Sequence, residues 1–277
     1  MTCDFRADLH CHTNCSDGSM SPEELIFHAK EVGLSGLSIT DHDTINAYRA
    51  AIPAAQKAGI ALGSGVEFSS VDEGVSVHIL GYDFDLQNPS LQDFCKRHIE
   101  RRKSRNKRIL EKLATQGIFI DHEELESEMS EDHPVGRPHI ALALVRKGVV
   151  SSVQEAFLRF IGDGKPCFDP GTPISTDETI DIIHEAGGKA FIAHPHLLRN
   201  SKLGEKLLEK PFDGIECFYS KCTPQQEQKW VNKARERGLL MSGGSDFHGA
   251  IKPGIPLGCS WVDQTTFEQI FQKHRCC

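Results

Sequence analysis

The sequence predicts an α/β fold, and two recurring observations carry that prediction. Short β-type runs alternate with helical stretches along the chain, and most of the runs end on a histidine, aspartate or glutamate. Strand, polar residue, helix, strand is the rhythm of a parallel sheet with helical crossovers. When such a sheet closes into a barrel, the residues at the strand C-termini converge on one face, and that face carries the chemistry. At 277 residues, 39% of them hydrophobic, the chain is long enough to bury a core of that kind and to carry a smaller second unit.

The elements justify themselves in order. The first run, residues 5–9, leads into His10-Cys11-His12. On a strand, residues i and i+2 share a face, so both imidazoles stand side by side while Cys11 turns away. Asp17 follows in a Ser-Asp-Gly turn, close enough to fold back onto them. Residues 22–32 read as a helix. The run 37–40 is followed by Asp41-His42-Asp43, and a second helix is expected over 45–58. Asp41 and Asp43 both suit the N-cap of that helix, Asp43 better, whereas His42 has no capping role. Residues 60–66 form the next run, closed by Glu67. Residues 75–80 alternate in polarity and carry His78. A helix over 176–186 precedes the run 190–193, which leads into His194-Pro195-His196. Residues 213–215 lead into Glu216, a helix spans 224–237, and the run 239–242 ends in Gly243-Gly-Ser-Asp246-Phe-His248-Gly249.

Nine of these residues form one set of candidate metal-ligating and catalytic groups: His10, His12, Asp17, His42, Glu67, His78, His194, Asp246 and His248. One catalytic metal uses about three protein ligands and keeps a position open, so nine ligands point to two or three metals sharing carboxylates. Metal pairs about 3.5–4 Å apart activate a hydroxide and stabilise the leaving oxygen in phosphoester hydrolysis. Imidazole and carboxylate without thiolate suit Mn, Zn or Fe. His28, His98, His122, His184 and His274 lie in helical or loop contexts and read as surface or packing residues, and His196 is a substrate-contact candidate beside His194.

The segments DLHCHTNCSDG, ITDHDT, HILGY, IAHP and GSDFHG, with the strand-end Glu67, together resemble the polymerase-and-histidinol-phosphatase (PHP) family. The similarity is to its stand-alone branch of nucleotide and short-RNA phosphoesterases, and it runs over nearly the whole chain. The resemblance implies a distorted seven-stranded βα (TIM-like) barrel with a trinuclear site. It assigns one metal to His10, His12, Glu67 and Asp246, a second to Glu67, His78 and His194, and a third to Asp17, His42 and His248. It also implies an inserted, mainly helical subdomain over residues 88–170 that caps the substrate, the barrel being residues 1–87 and 171–277.

The insertion is rich in cations. Residues 91–115 have helical composition and carry Lys96, Arg97, Arg101, Arg102, Lys103, Arg105, Lys107, Arg108 and Lys112. Most of this run reads as a solvated face, partly neutralised by the acidic stretch 123–132, with Arg102 and Arg105 the candidates for a substrate contact. Gly136-Arg137-Pro138-His139 opens a helix, with the proline suited to its first turn. Arg137 and His139 thereby sit at a helix N-terminus, where free N–H groups attract anions. Lys165, in the loop Gly162-Asp-Gly-Lys-Pro, is a further candidate phosphate contact. The loop lacks the GxxxxGK[ST] spacing, so no NTPase reading follows.

Charge and composition exclude other classes. The net charge is −8, unlike a protein that coats duplex nucleic acid, and compatible with a small anionic substrate drawn to metals and a local cationic wall. No run of 18 apolar residues is present, so no membrane span is expected. No signal-peptide pattern opens the chain, and the ten cysteines lack zinc-finger spacing, so they read as reduced cytoplasmic thiols. The expected activity is removal of phosphate from nucleoside 3′,5′-bisphosphates, or 5′-to-3′ trimming of short RNA, by a multinuclear metal-activated hydroxide, with no obligate protein partner. Arg137, His139, Lys165, Arg102, Arg105 and His196 are the expected substrate contacts. The alternatives are a histidinol-phosphate-type phosphomonoesterase and a non-catalytic PHP module that binds nucleic acid.

Overall fold

The protein is described by a computed structural model covering residues 5–121, 125, 135–198, 201–274 and 276. The chain divides into two compact units, Met1–Phe94 with Ile174–Cys277, and Cys95–Pro173. The first border falls within a helix that runs without a break from Pro89 to Thr115, beyond the expected position at residue 87.

The first unit is built on eight described strands. β1 (Ala7–Cys11), β2 (Gly36–Ile39) and β3 (Ala61–Gly63) form one parallel sheet in that order. β4 (Gly65–Asp72), β5 (Val75–Tyr82), β6 (Lys189–Ile192), β7 (Gly214–Tyr219) and β8 (Leu240–Gly244) form a second sheet, also in chain order. β6, β7 and β8 run parallel, but β5 is antiparallel to both β4 and β6. The uniformly parallel rhythm read from the sequence therefore fails at β4 and β5. The reason is local: Glu73 and Gly74 both adopt positive φ, 47° and 77°, which makes a two-residue hairpin turn whose twist matches the strands. A Glu-Gly turn gives a weaker hairpin signal than Asn-Gly, so the runs 60–66 and 75–80 read as separate strands with no hairpin between them. Glu67 is consequently not a strand end; it is the third residue of β4.

Among the described residues, hydrogen bonding forms two sheets, with single bridges Cys11↔Phe247 and His42↔Glu67 linking their neighbourhoods. The Tyr82 hydroxyl in β5 donates to the Leu9 carbonyl in β1 (2.8 Å) and ties the sheets across their shared core. That core contains Leu9, Leu80, Tyr82, Phe191, Phe267 and Phe271, all fully buried or nearly so. A second cluster, including Leu25, Ile26, Leu37, Ile39 and Leu62, lies under the first two helices. At the seam between β1 and β8, a Cβ on Gly244 would lie 2.3 Å from the His10 nitrogen, so only glycine admits this approach.

Helix α1 (Pro22–Glu31) starts on a capping box of Ser21 and Glu24, with Pro22 in its first turn. α2 (Tyr48–Ala58) begins three residues later than expected, and its N-cap, Ala47, supplies no side-chain cap. Asp43 is therefore not its N-cap; its carboxylate accepts from the Ser69 N–H on β4 (2.7 Å) while its own backbone takes φ 60°. Asp41 is not a cap either, as described below.

In the second unit, α3 (Pro89–Thr115, from Cys95 onward) packs Ile109 and Leu113 against Ile140 and Leu144 of α4 (Arg137–Arg146). α5 (Val153–Ala156) runs on into one π-helical turn, Phe157–Ile161. Part of the cationic run on α3 is structural rather than solvated: Arg108 and Lys112 pair with Asp169 at 3.0 and 3.1 Å, and Arg101 donates to the Thr172 carbonyl (2.5 Å). Of the acidic stretch 123–132, only Leu125 is among the described residues, and His122 lies outside them.

Candidate metal centre

The first unit brings all nine candidate ligands onto linked segments. His10 is the penultimate residue of β1 and His12 lies just beyond its end, held there by the bond from its N–H to the Phe247 carbonyl (2.9 Å). The loop carrying Asp17 is drawn tight by Asp41, whose carboxylate accepts from the Thr13 N–H (2.7 Å), the Thr13 hydroxyl (2.5 Å) and the Ser16 hydroxyl (2.5 Å). The loop closes on Gly18, where a Cβ would strike the His12 carbonyl at 2.3 Å. Asp17 thereby reaches His248 (3.3 Å), His42 (3.7 Å) and His12 (3.7 Å).

Glu67 is the hub. Its Oε2 lies 3.3 Å from Nε2 of both His10 and His12 and 3.1 Å from Nδ1 of His42, while its Oε1 lies 2.7 Å from His78 and 2.9 Å from His194. Glu67 and His78 sit on adjacent antiparallel strands, offset by two residues, so the pleat puts them on one face. Asp246 places Oδ1 3.3 Å from His12 and 3.6 Å from His10. Its φ is 57° and that of His194 is 29°, backbone strain of the kind held at functional sites.

Three interlocking groups result: His12, Asp17, His42 and His248; His10, His12 and Glu67; and His42, Glu67 and His78. In each, the ligand atoms lie within 4.8 Å of one another. His10 Nε2, both His12 nitrogens, His42 Nδ1 and Glu67 Oε2 are buried and have no hydrogen-bond partner among the described residues. Buried polar atoms of a folded protein are nearly always paired, so converging unpaired lone pairs are what a cation would satisfy. The donor set fits divalent metals on that ground.

The electrostatics agree in most respects. Burial alone would raise the Asp17 and Glu67 carboxyls, but His248 and His42 beside Asp17, and His42 and His78 beside Glu67, hold both well below the usual range. Burial pushes His42 down to about 3. His12 runs the other way: burial lowers it, but Asp246 and Glu67 outweigh that and raise it to about 9. A cation binding among these groups must displace that proton, because only neutral imidazole and ionised carboxylate are ligands.

The supporting contacts were less visible in the sequence. Glu216, in the middle of β7, is fully buried; its Oε1 lies 2.7 Å from His10 Nδ1, and its Oε2 accepts from the His194 N–H (2.6 Å). That contact turns His10 Nε2 toward Glu67, as a carboxylate behind a ligating histidine does. His248 Nδ1 faces the Asp246 carbonyl (2.9 Å), directing Nε2 to Asp17. The Tyr219 hydroxyl and the Lys252 ammonium both donate to Asp246 Oδ2, at 2.7 and 2.8 Å. Asp8 accepts from the backbone N–H groups of His10, Ser245 and Gly258, and its burial pushes it up to about 6. The Glu216 strand position was a usable signal; nothing in local sequence marked Tyr219 or Lys252.

The expected substrate contacts fall in two places. His196 lies in the first unit, its ring 4.6 Å from that of Tyr219, with both nitrogens buried and no hydrogen-bond partner among the described residues. The others lie in the second unit. Arg102 and Arg105 are buried there, Arg105 bonding Asn106 (3.2 Å). His139 Nδ1 accepts from the Gly136 N–H (2.8 Å), and Arg137 pairs with Asp163 (2.7 Å) between the rings of Phe157 and Phe168. Lys165 is exposed. Of the other histidines, His98 is buried and His184 pairs with Asp213 (2.8 Å).

Fold and site together define an α/β protein with a multi-histidine and multi-carboxylate centre of the kind that can hold metal ions. The chain belongs to the PHP family, whose PHP domain matches residues 8–158. It is 34% identical to the 5′-3′ exoribonuclease Rnm of Salmonella typhimurium, over 92% of this chain and 87% of that protein. It is 30% identical to a 3′,5′-nucleoside bisphosphate phosphatase of Chromobacterium violaceum, over 91% and 90%. Among solved structures, one described as a metal-dependent phosphoesterase from Bifidobacterium adolescentis superposes with a TM-score of 0.87 at 33% identity, covering 95% of this chain and 94% of its own. Among the described residues, no helix is long and apolar enough to cross a membrane.

Proposed function

We propose that this chain is a metal-dependent phosphoesterase that removes phosphate from nucleoside 3′,5′-bisphosphates, or trims short RNA from its 5′ end, at the centre built around Glu67. The observation that carries the proposal is three interlocking groups of imidazole and carboxylate side chains whose ligand atoms lie within 4.8 Å of one another, with five buried atoms on His10, His12, His42 and Glu67 that have no hydrogen-bond partner among the described residues. The names borne by relatives that align over most of the chain support the substrate class. The two sheets, bridged at Cys11↔Phe247 and His42↔Glu67, support reading the first unit as a distorted barrel with the ligands at one end.

In this reading His10, His12, Asp17, His42, Glu67, His78, His194, Asp246 and His248 hold two or three divalent ions, Mn, Zn or Fe. Bound there, such ions supply a hydroxide at neutral pH and neutralise charge on the transferring phosphoryl oxygens. The protein's own part is to keep the carboxylates ionised, to aim His10 through Glu216 and His248 through the Asp246 carbonyl, and to exclude water by burial. His196, whose two nitrogens have no hydrogen-bond partner among the described residues, is proposed to hold a phosphate oxygen or the leaving group. Arg102, Arg105, Arg137, His139 and Lys165 of the inserted unit are proposed as contacts to a second phosphate or the nucleotide backbone, on the chemistry of guanidinium, imidazole and ammonium toward phosphate. The inserted unit would then contribute to substrate binding, and the reduced thiols fit a cytoplasmic enzyme.

The test is phosphate release from adenosine 3′,5′-bisphosphate, with 5′-AMP and histidinol phosphate as controls, and product analysis on short 5′-phosphorylated RNA. Selective turnover of the bisphosphate or stepwise 5′ shortening supports the proposal. Preference for histidinol phosphate moves the substrate class, and RNA binding without turnover favours a non-catalytic module.

A further inference from the structure

Asp246 is bonded through one oxygen by two donors of very different character. Tyr219 is rigid and buried: it is 6% exposed, its ring packs against those of His194 and His196, and its hydroxyl donates to Oδ2. That bond alone keeps Oδ2 turned away from the metal-binding groups and leaves Oδ1 facing His10 and His12. Lys252 duplicates it from the opposite kind of residue, an ammonium on a flexible four-carbon stem. The lysine side chain is 38% exposed where its partner Asp246 is 7% exposed. It rises from the loop just after His248, beyond a short turn at Gly249–Ile251. Its ammonium makes its one hydrogen bond, among the described residues, to Asp246.

A buried carboxylate that is already oriented by a tyrosine does not need a mobile ammonium for orientation. What the lysine adds is a positive charge with three donors, of which the Asp246 contact occupies one. That charge stands across one carboxylate from the oxygen that faces the metal ligands. Resting on the phosphoesterase reading above, we propose that Lys252 is a phosphate-contacting residue supplied by the first unit itself: its ammonium binds a non-bridging oxygen of the phosphoryl group held at the metals. Tyr219, by contrast, is a positioning residue that acts only through Asp246. The division follows from reach and exposure. The phenol is held among the rings of its pocket, whereas the lysine side chain is partly exposed and its ammonium keeps two further N–H groups with which to bond an incoming anion beside the carboxylate. Lys252 accordingly supplies charge stabilisation where negative charge gathers as the ester bond breaks.

The test uses the full chain loaded with Mn²⁺, comparing wild type with Lys252→Met, which keeps the stem and removes the charge, Lys252→Arg, and Tyr219→Phe. Inorganic phosphate binding is followed by calorimetry, metal content by elemental analysis, and turnover on adenosine 3′,5′-bisphosphate in parallel. Lys252→Met is expected to weaken phosphate binding about tenfold or more, the worth of one charge-assisted hydrogen bond, with metal content unchanged. Lys252→Arg should recover most of the loss. Tyr219→Phe should weaken Mn²⁺ binding and leave the phosphate affinity of the fully loaded protein near wild type. Phosphate affinity unchanged in Lys252→Met, lost only together with metal, or absent in the wild type overturns the proposal. The phosphoesterase reading fails separately: a wild type that binds phosphate through Lys252 but hydrolyses no ester refutes that reading and keeps this one.

Discussion

Replacing Glu216 by glutamine tests the support of the metal centre without touching any of the nine proposed ligands. The side chain keeps its volume and exchanges one oxygen for an NH₂ group. Both carboxylate oxygens are in use, Oε1 at 2.7 Å from His10 Nδ1 and Oε2 accepting from the His194 N–H at 2.6 Å. An amide has one acceptor, so whichever contact it keeps, its NH₂ faces a donor at the other. One buried donor left unpaired costs about 1–3 kcal/mol. Either His10 loses the partner that aims its Nε2 at Glu67, or the strained backbone at His194 loses its anchor. Loss of such a carboxylate behind a ligating histidine typically weakens metal binding 10–100-fold, which corresponds to roughly 1.4–2.7 kcal/mol. Calorimetric titration of chelator-stripped wild type and Glu216→Gln with Mn²⁺, beside circular dichroism spectra of both, reads this directly. The expected result is a native spectrum with Mn²⁺ affinity reduced by that factor. Wild-type affinity in a folded Glu216→Gln variant would show that the Glu216 contact does not prepare His10 for metal.

Other consequences follow from the same geometry. His12→Ala and Asp246→Ala are expected to abolish phosphate release while the proteins stay folded; near-wild-type turnover in either contradicts the ligand assignment. Gly244→Ala drives a methyl into the His10 backbone at 2.3 Å, so β1 and β8 must part, lowering stability by about 1–3 kcal/mol together with metal content; a variant with unchanged melting temperature and metal content contradicts the contact. Asp83 accepts from Lys189 (2.8 Å) and from the backbone N–H groups of Gln272, Lys273 and His274. Burial would raise its carboxyl, but Lys189 and those N–H groups hold it below the usual value. A depressed native pKa means a contribution present above the unfolded value near 4 and lost as the pH falls through the native one. Asp83→Asn should therefore be less stable at pH 7, by roughly 1–3 kcal/mol, and lose less stability than wild type on acidification. Parallel denaturation curves at pH 7 and pH 3 check the sign.

The nine candidate ligands were legible because histidines and carboxylates recur next to β-type runs, and a parallel strand brings its C-terminal residue to a shared face. Helix starts at Ser21 and Thr223 were legible for a similar local reason, since a capping residue lies within three positions of the N–H it satisfies. What local pattern cannot show is which distant group a polar side chain meets. Asp41 and Asp43 have the composition of helix caps, yet they bind Thr13, Ser16 and Ser69, partners found only once the loops are folded. Glu216 looks like one more strand-end carboxylate until His10 is placed behind it. Tyr219 and Lys252 carry no signal at all, because the bonds that bring them to the centre are made to Asp246, 27 and 6 residues away. The antiparallel hairpin at Glu73-Gly74 escaped because its turn residues differ little from those of an ordinary loop.

The most direct test of the account is chelation and reconstitution. The protein is stripped of metal, assayed for phosphate release from adenosine 3′,5′-bisphosphate and for shortening of a 5′-phosphorylated RNA, and titrated with Mn²⁺, Zn²⁺ or Fe²⁺ while metal content is measured. The account predicts no turnover in the stripped, still folded protein, and activity that rises with bound metal to saturate at two or three ions per chain. Full activity in metal-free protein would contradict it.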